Sequence, residues 1–136
     1  MKLTAVGLCK WLPGDEKAVL LGVATELSEY SFFQRGTVKE FLLFTGRMVV
    51  DKTLPGSRQS VKANDYMCHV VVRDSHMAAF VFVDEEYPSR AAMTVAMKAI
   101  EEYEAGMASK SEDDATAAQS ICDTALVKYK VRVYRS

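Results

Sequence analysis

The side chains best suited to chemistry are a cysteine and a histidine that stand next to each other at positions 68 and 69. Successive side chains of a strand point to opposite faces, so Cys68 and His69 cannot form a nucleophile–base pair with each other. Cys68 lies in an apolar run, which is typical of an inert core thiol. His69 and His76 have no carboxylate at a metal-ligand spacing. We therefore expect no catalytic residue and no metal site, since an enzyme using Cys68 or His69 would need a converging acid or base.

Charged residues and glycines also predict a protein without catalytic or cofactor chemistry. The acidic run Asp84-Glu85-Glu86 precedes a predicted helix. It could be an acid–base or metal site, but carboxylates are also favoured near a helix N-terminus, and we prefer that interpretation. The glycines form neither known phosphate-binding pattern. Without such a pattern we expect no cofactor. With 17 basic and 18 acidic residues the net charge is −1, so we also expect no nucleic-acid partner.

The informative residues are apolar and surround the first predicted helix. Thr37 and Glu40 form a capping-box pattern, which predicts a helix over 37–52 preceded by a loop over 28–36. At 100° per residue one helix stripe contains Val38, Phe41, Leu42, Thr45, Met48 and Val49. Phe44 lies at the edge of this stripe, while Leu43 and Val50 fall on the opposite side. Either a wide sheet and a folded-back loop cover these residues, or they form a groove for an amphipathic helix or an extended peptide.

Turn signals and apolar runs predict the elements that position these residues. Strands are expected over 3–11, 18–24, 59–63, 66–72 and 76–83, and further helices over 89–107 and 115–129. Short turns between strands favour an antiparallel sheet, and near-continuous apolar strands favour helices on both faces. The length of 136 residues fits one domain. We therefore expect a three-layer α-β-α sandwich.

Cysteine usage and the absence of targeting signals predict a cytosolic chain. The number of cysteines is odd, and the three are widely spaced, at Cys9, Cys68 and Cys122. This usage favours a reducing compartment. No apolar run approaches the roughly 20 residues of a membrane-spanning helix. No secretory leader is visible, and the ending VYRS lacks a prenylation box. We expect a cytosolic protein with no anchor of its own.

Three blocks of sequence, in order, resemble the longin domain of the prenylated and palmitoylated R-SNAREs of the YKT type. They are SFFQRGTVKEFLLFTGRMV (31–49), GSRQSVKANDYMCHVVVRD (56–74) and DEEYPSRAA (84–92). The resemblance implies an α+β, profilin-like longin fold, with a five-stranded antiparallel sheet, one helix on one face and two on the other. It also implies a non-catalytic module that controls targeting and autoinhibition in vesicle fusion, on the cytosolic face of Golgi, vesicle or endosomal membranes when the protein is full length.

The resemblance also assigns a binding groove and its partners. Phe44 matches the groove phenylalanine of the first helix. Around it lie the matches Phe41, Met48, Gln59, Ser60 and Val61, and the preceding loop contributes Phe32, Phe33 and Arg35. The implied occupant is the protein's own or a cognate SNARE helix, or a lipid chain.

The chain also departs from the family pattern. Residues 1–129 form the implied longin domain and 130–136 a basic tail, whereas the SNARE motif that would bind other SNAREs and the terminal Cys-Cys box are missing. Gly36 and Gly46 stand where relatives usually have small polar residues. A scaffold subunit of a coat, tethering or small-GTPase-exchange complex remains the alternative function.

Overall fold

Five antiparallel strands form one sheet in the order β2-β1-β5-β4-β3. The computed structural model describes residues 2–12, 14–108 and 114–129. The elements in chain order are β1 (Leu3–Lys10), β2 (Val19–Thr25), α1 (Phe32–Asp51), β3 (Ser57–Ala63), β4 (Tyr66–Val72), β5 (Met77–Val83), α2 (Ser89–Ala108) and α3 (Asp114–Tyr129). The predicted strands and their antiparallel pairing are confirmed. The predicted tail, 130–136, and residues 109–113 lie outside the described residues.

Helices cover both faces of the sheet, which confirms the predicted α-β-α sandwich. On one face α1 packs on a core that includes Leu42, Val70, Phe80 and Phe82. On the other face α2 and α3 pack on a second core built around residues such as Val81 and Ile100. All seven residues of β5 are buried, because this strand lies in the middle of the sheet and is covered on both sides.

Helix α1 begins five residues earlier than the sequence predicted. Its N-cap is Ser31, and a capping box joins Ser31 to Gln34, whose Oε1 accepts the Ser31 backbone N–H at 3.3 Å. The prediction that Thr37 is the cap was therefore wrong. The segment containing Phe32, Phe33 and Arg35, which we expected to be a loop, forms the first turn of the helix instead.

Two glycines let α1 approach the sheet closely at Phe80. A Cβ on Gly46 of α1 would lie 2.6 Å from the Phe80 ring, and one on Gly7 of β1 would lie 2.3 Å from it. The ring is thus held between helix and sheet with no spare room. This contact sets the rotation of α1, and it buries Val50 completely, so the expected placement of Val50 on the opposite side was wrong.

The two edges of the sheet differ. At the β2 edge, the side-chain amide of Gln119 in α3 donates to the Val23 carbonyl at 2.7 Å and accepts the Val23 N–H at 3.1 Å. Gln119 therefore occupies the position of a neighbouring strand. At the other edge, the outer side of β3 pairs with no strand among the described residues, and most of its side chains are exposed.

Candidate partner-binding surface

A stripe of large apolar residues, Phe41, Phe44 and Met48, runs along α1 from its flank next to β3 to the side that faces away from the sheet. We call this stripe the α1 outer face. Phe44 is 70% exposed and Met48 is 38% exposed, while Phe41 is half-buried. Their spacing of three and four residues is that of a helix seam that packs against another helix. Exposure of a phenylalanine at this level has a cost in water, so a surface of this kind indicates a partner.

A cavity of about 560 Å³ opens beside Phe44 and Met48. It is lined by Lys17, Glu40, Leu43, Phe44, Arg47, Met48, Asp51 and Lys52. Lys17 comes from the turn between β1 and β2, and Asp51 Oδ1 accepts the backbone N–H of Ala18 at 2.8 Å. The cavity therefore lies where α1 meets the β1–β2 turn, and that hydrogen bond joins the turn to the helix.

The three residues of β3 assigned to the groove do not line this cavity. Gln59 lies on the α1 side of the sheet, where its Oε1 accepts the Thr53 hydroxyl at 2.9 Å, and Val61 packs against the same core as Phe41. Ser60 lies on the other side and is hydrogen-bonded to His69 Nδ1 at 2.7 Å. The structure therefore brings Phe44 and Met48 together at the cavity, places Phe41, Gln59 and Val61 on the β3 side of α1, and separates Ser60 from all of them.

Phe32 and Phe33 form a second exposed apolar feature at the start of α1. They are 78% and 92% exposed, with their rings edge-on at a centroid distance of 5.7 Å. Arg35 stabilises the turn before them, because its Nε donates to the Tyr30 carbonyl at 3.0 Å. The Tyr30 hydroxyl in turn bonds the Tyr66 hydroxyl, which joins this turn to β4. Neither phenylalanine lines the cavity.

The groups with nucleophilic or basic chemistry lie away from this surface and are poorly reactive. Burial raises the pKa of the Cys68 thiol, and likewise of Cys9 and Cys122, to about 12. Burial also lowers the pKa of His69, whose Nε2 has no hydrogen-bond partner among the described residues. Cys68 and His69 contribute to opposite sides of the sheet. The arrangement is suited to binding.

The described residues contain no group of three potential metal ligands, and none of their helices has the length and hydropathy to cross a membrane. Sequence reasoning named Leu43 only as an apolar residue on the side of α1 away from the core stripe. It did not identify Lys17 or Arg47 as cavity residues, because the contact between α1 and the β1–β2 turn joins segments far apart in the chain. The sequence signals for the cavity were the excess of apolar residues on α1 and the family resemblance, which pointed to Phe44 and Met48.

Comparison with known proteins shows what this chain is similar to. Residues 27–126 match the family model described as "Longin: Regulated-SNARE-like domain". The chain is 41% identical over 103 residues to a Yarrowia lipolytica protein named synaptobrevin homolog YKT6, and 38% identical over 104 residues to the Arabidopsis thaliana VAMP-like protein YKT61. A Dictyostelium discoideum putative synaptobrevin homolog YKT6 is 41% identical over 105 residues. Each match covers 76% of this chain but only 50–52% of the relative, so the chain spans about half the length of these curated relatives.

Proposed function

The chain belongs to the longin family of regulated-SNARE-like domains, and on that premise we propose that it is the regulatory domain of an R-SNARE in vesicle trafficking. Its proposed activity is to bind an amphipathic SNARE helix, its own or a cognate one, on the α1 outer face. Binding there would hold the SNARE helix away from the fusion bundle until it is released. The proposed place of action is the cytosolic face of Golgi, vesicle or endosomal membranes.

The observation that carries this proposal is the exposure of Phe44, at 70%, beside a cavity lined by Leu43 and Met48. Because Phe44 stands beside other apolar side chains at a concave site, it is part of a contiguous apolar surface of the kind that marks an interaction site. The spacing of Phe41, Phe44 and Met48 supports a helical occupant, because helices pack through residues three and four apart.

The charges at the cavity rim support an occupant with an apolar stripe and acidic flanks. Lys17, Arg47 and Lys52 are exposed there, against Glu40 and a half-buried Asp51 whose Oδ1 already accepts a backbone N–H. Rim charges of this kind affect association rate and orientation more than affinity, so the apolar contacts would supply most of the binding free energy.

The test is to titrate a fluorescent R-SNARE-motif peptide against the wild-type chain and the Phe44→Glu variant. The variant places a charge where the peptide would bury its apolar stripe, so we expect the affinity to fall by at least about tenfold. Because Phe44 is exposed, its replacement leaves the folded core intact, and the unfolding temperature should stay within a few degrees of the wild-type value.

The matched control is Val127→Glu. Val127 is 76% exposed and lies on α3, on the opposite side of the sheet, so this variant adds the same charge at a similarly exposed apolar position. We expect Val127→Glu to bind the peptide as the wild type does. Equal affinities for the wild type and Phe44→Glu would refute the assignment of the α1 outer face as the binding surface.

A lipid chain is a second proposed occupant of the same cavity, because the apolar side chains of Leu43, Phe44 and Met48 could cover it. Adding a soluble detergent-like lipid to the peptide titration distinguishes the two. Competition between lipid and peptide would place both at this site, whereas additive binding would place the lipid elsewhere. The alternative function, a scaffold subunit of a coat, tethering or exchange complex, predicts no affinity for the SNARE-motif peptide.

A further inference from the structure

A second cleft lies on the opposite side of the sheet from α1, between α2 and the edge strand β3. It has a volume of about 460 Å³. Its floor includes Met93 and Met97, which are half-buried, and exposed Arg58, Arg90 and Lys98 stand along it. We call it the α2–β3 cleft.

The basic residues of the α2–β3 cleft are available to a charged partner. Among the described residues Arg58, Arg90 and Lys98 have no ion-pair partner. The single acidic residue that lines the cleft, Glu101, already pairs with Arg73, with Nη1 and Oε2 3.8 Å apart. The cleft therefore offers three cations that a negatively charged partner could neutralise, although the whole chain has a net charge of −1.

The spacing of these cations indicates the shape of that partner. Arg90 and Lys98 are eight positions apart on one helix, which is about 12 Å along the axis at 1.5 Å per residue. A ligand of similar length can contact both side chains without their having to converge on one point. An extended peptide advances about 3.3 Å per residue, so carboxylates four positions apart would match the separation.

The two methionines favour a peptide over a lipid headgroup. Met93 and Met97 lie on the flank of α2 between Arg90 and Lys98, where they can pack against an apolar side chain of variable shape. The two methionines line a concave cleft and are only partly exposed. A flat bilayer surface would therefore contact the arginines and the lysine without reaching the methionines.

We propose that the α2–β3 cleft binds a short acidic peptide segment of a partner protein. Two carboxylates of the segment contact Arg58, Arg90 and Lys98, and an apolar side chain between them packs on Met93 and Met97. This site is separate from the α1 outer face, so one chain can hold a helix on one side of the sheet and an acidic segment on the other.

The test uses the full chain and a fluorescein-labelled nonapeptide with glutamate at positions 3 and 7, leucine at position 5 and serine elsewhere, so that all three side chains share one face of the extended peptide. Binding is followed by fluorescence anisotropy. We expect saturable binding that weakens as salt is added. A second nonapeptide, with glutamine in place of glutamate, should bind about tenfold more weakly.

Lys98→Glu and Lys39→Glu form a matched pair of variants. Both lysines are exposed on helices, but Lys39 belongs to α1 and lies outside the cleft. We expect Lys98→Glu to lower the affinity for the acidic peptide about tenfold, while Lys39→Glu changes it less than about twofold. Equal losses for the two variants would overturn the proposal, because they would show attraction to net charge alone.

Two further outcomes would also overturn it. The first is the absence of saturable binding of the acidic nonapeptide by the wild type. The second is binding to vesicles containing phosphatidylserine that Lys98→Glu abolishes and the peptide does not compete with, which would identify the cleft as a membrane contact. Retained binding of the SNARE-motif peptide by Lys98→Glu would show that the result is independent of the proposed function of α1.

Discussion

Replacing Gly46 by alanine tests whether the close approach of α1 to the sheet is as tight as the structure shows. In an exposed helix interior, a glycine-to-alanine change adds about 1 kcal/mol of stability. At Gly46 the new Cβ would lie 2.6 Å from the Phe80 ring, and the ring cannot move toward the sheet because it already lies against Gly7. Overpacking of this kind costs about 1–3 kcal/mol, and the blocked ring places Gly46→Ala at the upper end of that range. After the gain in helix propensity is subtracted from this cost, we expect Gly46→Ala to lower the free energy of unfolding by about 2 kcal/mol.

Gly36→Ala is the matched control, because Gly36 is in the same helix and a Cβ added there would have no atom within 4 Å. It should be about 1 kcal/mol more stable than the wild type, so the two alanine variants should differ by about 3 kcal/mol. Urea unfolding at a common m-value measures both. Shortening the obstructing ring, in Phe80→Leu, should reduce the cost of Gly46→Ala. If Gly46→Ala were as stable as Gly36→Ala, the packing account of α1 would be refuted.

The remaining predictions concern buried titratable groups. Burial lowers the pKa of His69, so the folded chain keeps it neutral while the unfolded chain takes up a proton below about pH 6.5. The free energy of unfolding is therefore undiminished by His69 above pH 6.5 and decreases as the pH falls toward the lower, folded-state pKa. Urea midpoints measured from pH 7.5 to 5 should fall less steeply in His69→Gln than in the wild type. An unchanged slope would contradict this. Because the pKa values of Cys9, Cys68 and Cys122 are raised to about 12, their thiols should react with Ellman's reagent at pH 7 only as fast as the protein unfolds. A thiol that reacts at once in the native protein would disprove it.

The sheet and its two helical layers could be predicted because most strands carry a clear local signal, although β3, which is polar and mostly exposed, gave a weak one and was predicted two residues short. Tyr66–Val72 was predicted with the bounds it has in the structure, since its β-branched and aromatic residues stand between two turn signals. The start of α1 could not be chosen with the same certainty. Both Ser31-x-x-Gln34 and Thr37-x-x-Glu40 fit the capping-box pattern, and the fold uses the earlier one.

The rotation of α1 is the part that sequence periodicity could not determine. A hydrophobic stripe is read from large apolar residues, but the side of α1 that meets the sheet is centred on small ones, Gly46 and Thr45. Small residues allow close approach, which turns Val50 inward and leaves Phe44 and Met48 outside. For the same reason, an apolar helix with two possible stripes does not reveal from its sequence which stripe belongs to the core and which to a partner.

The unequal edges of the sheet limit how copies of this domain could associate through their strands. Since Gln119 already satisfies both backbone groups of Val23, an incoming strand at β2 would first have to displace a side chain from α3. The β3 edge has no such obstruction among the described residues. Strand pairing between copies is therefore expected at β3 before β2, because at β2 the new strand would have to compete with the side chain that α3 already places there.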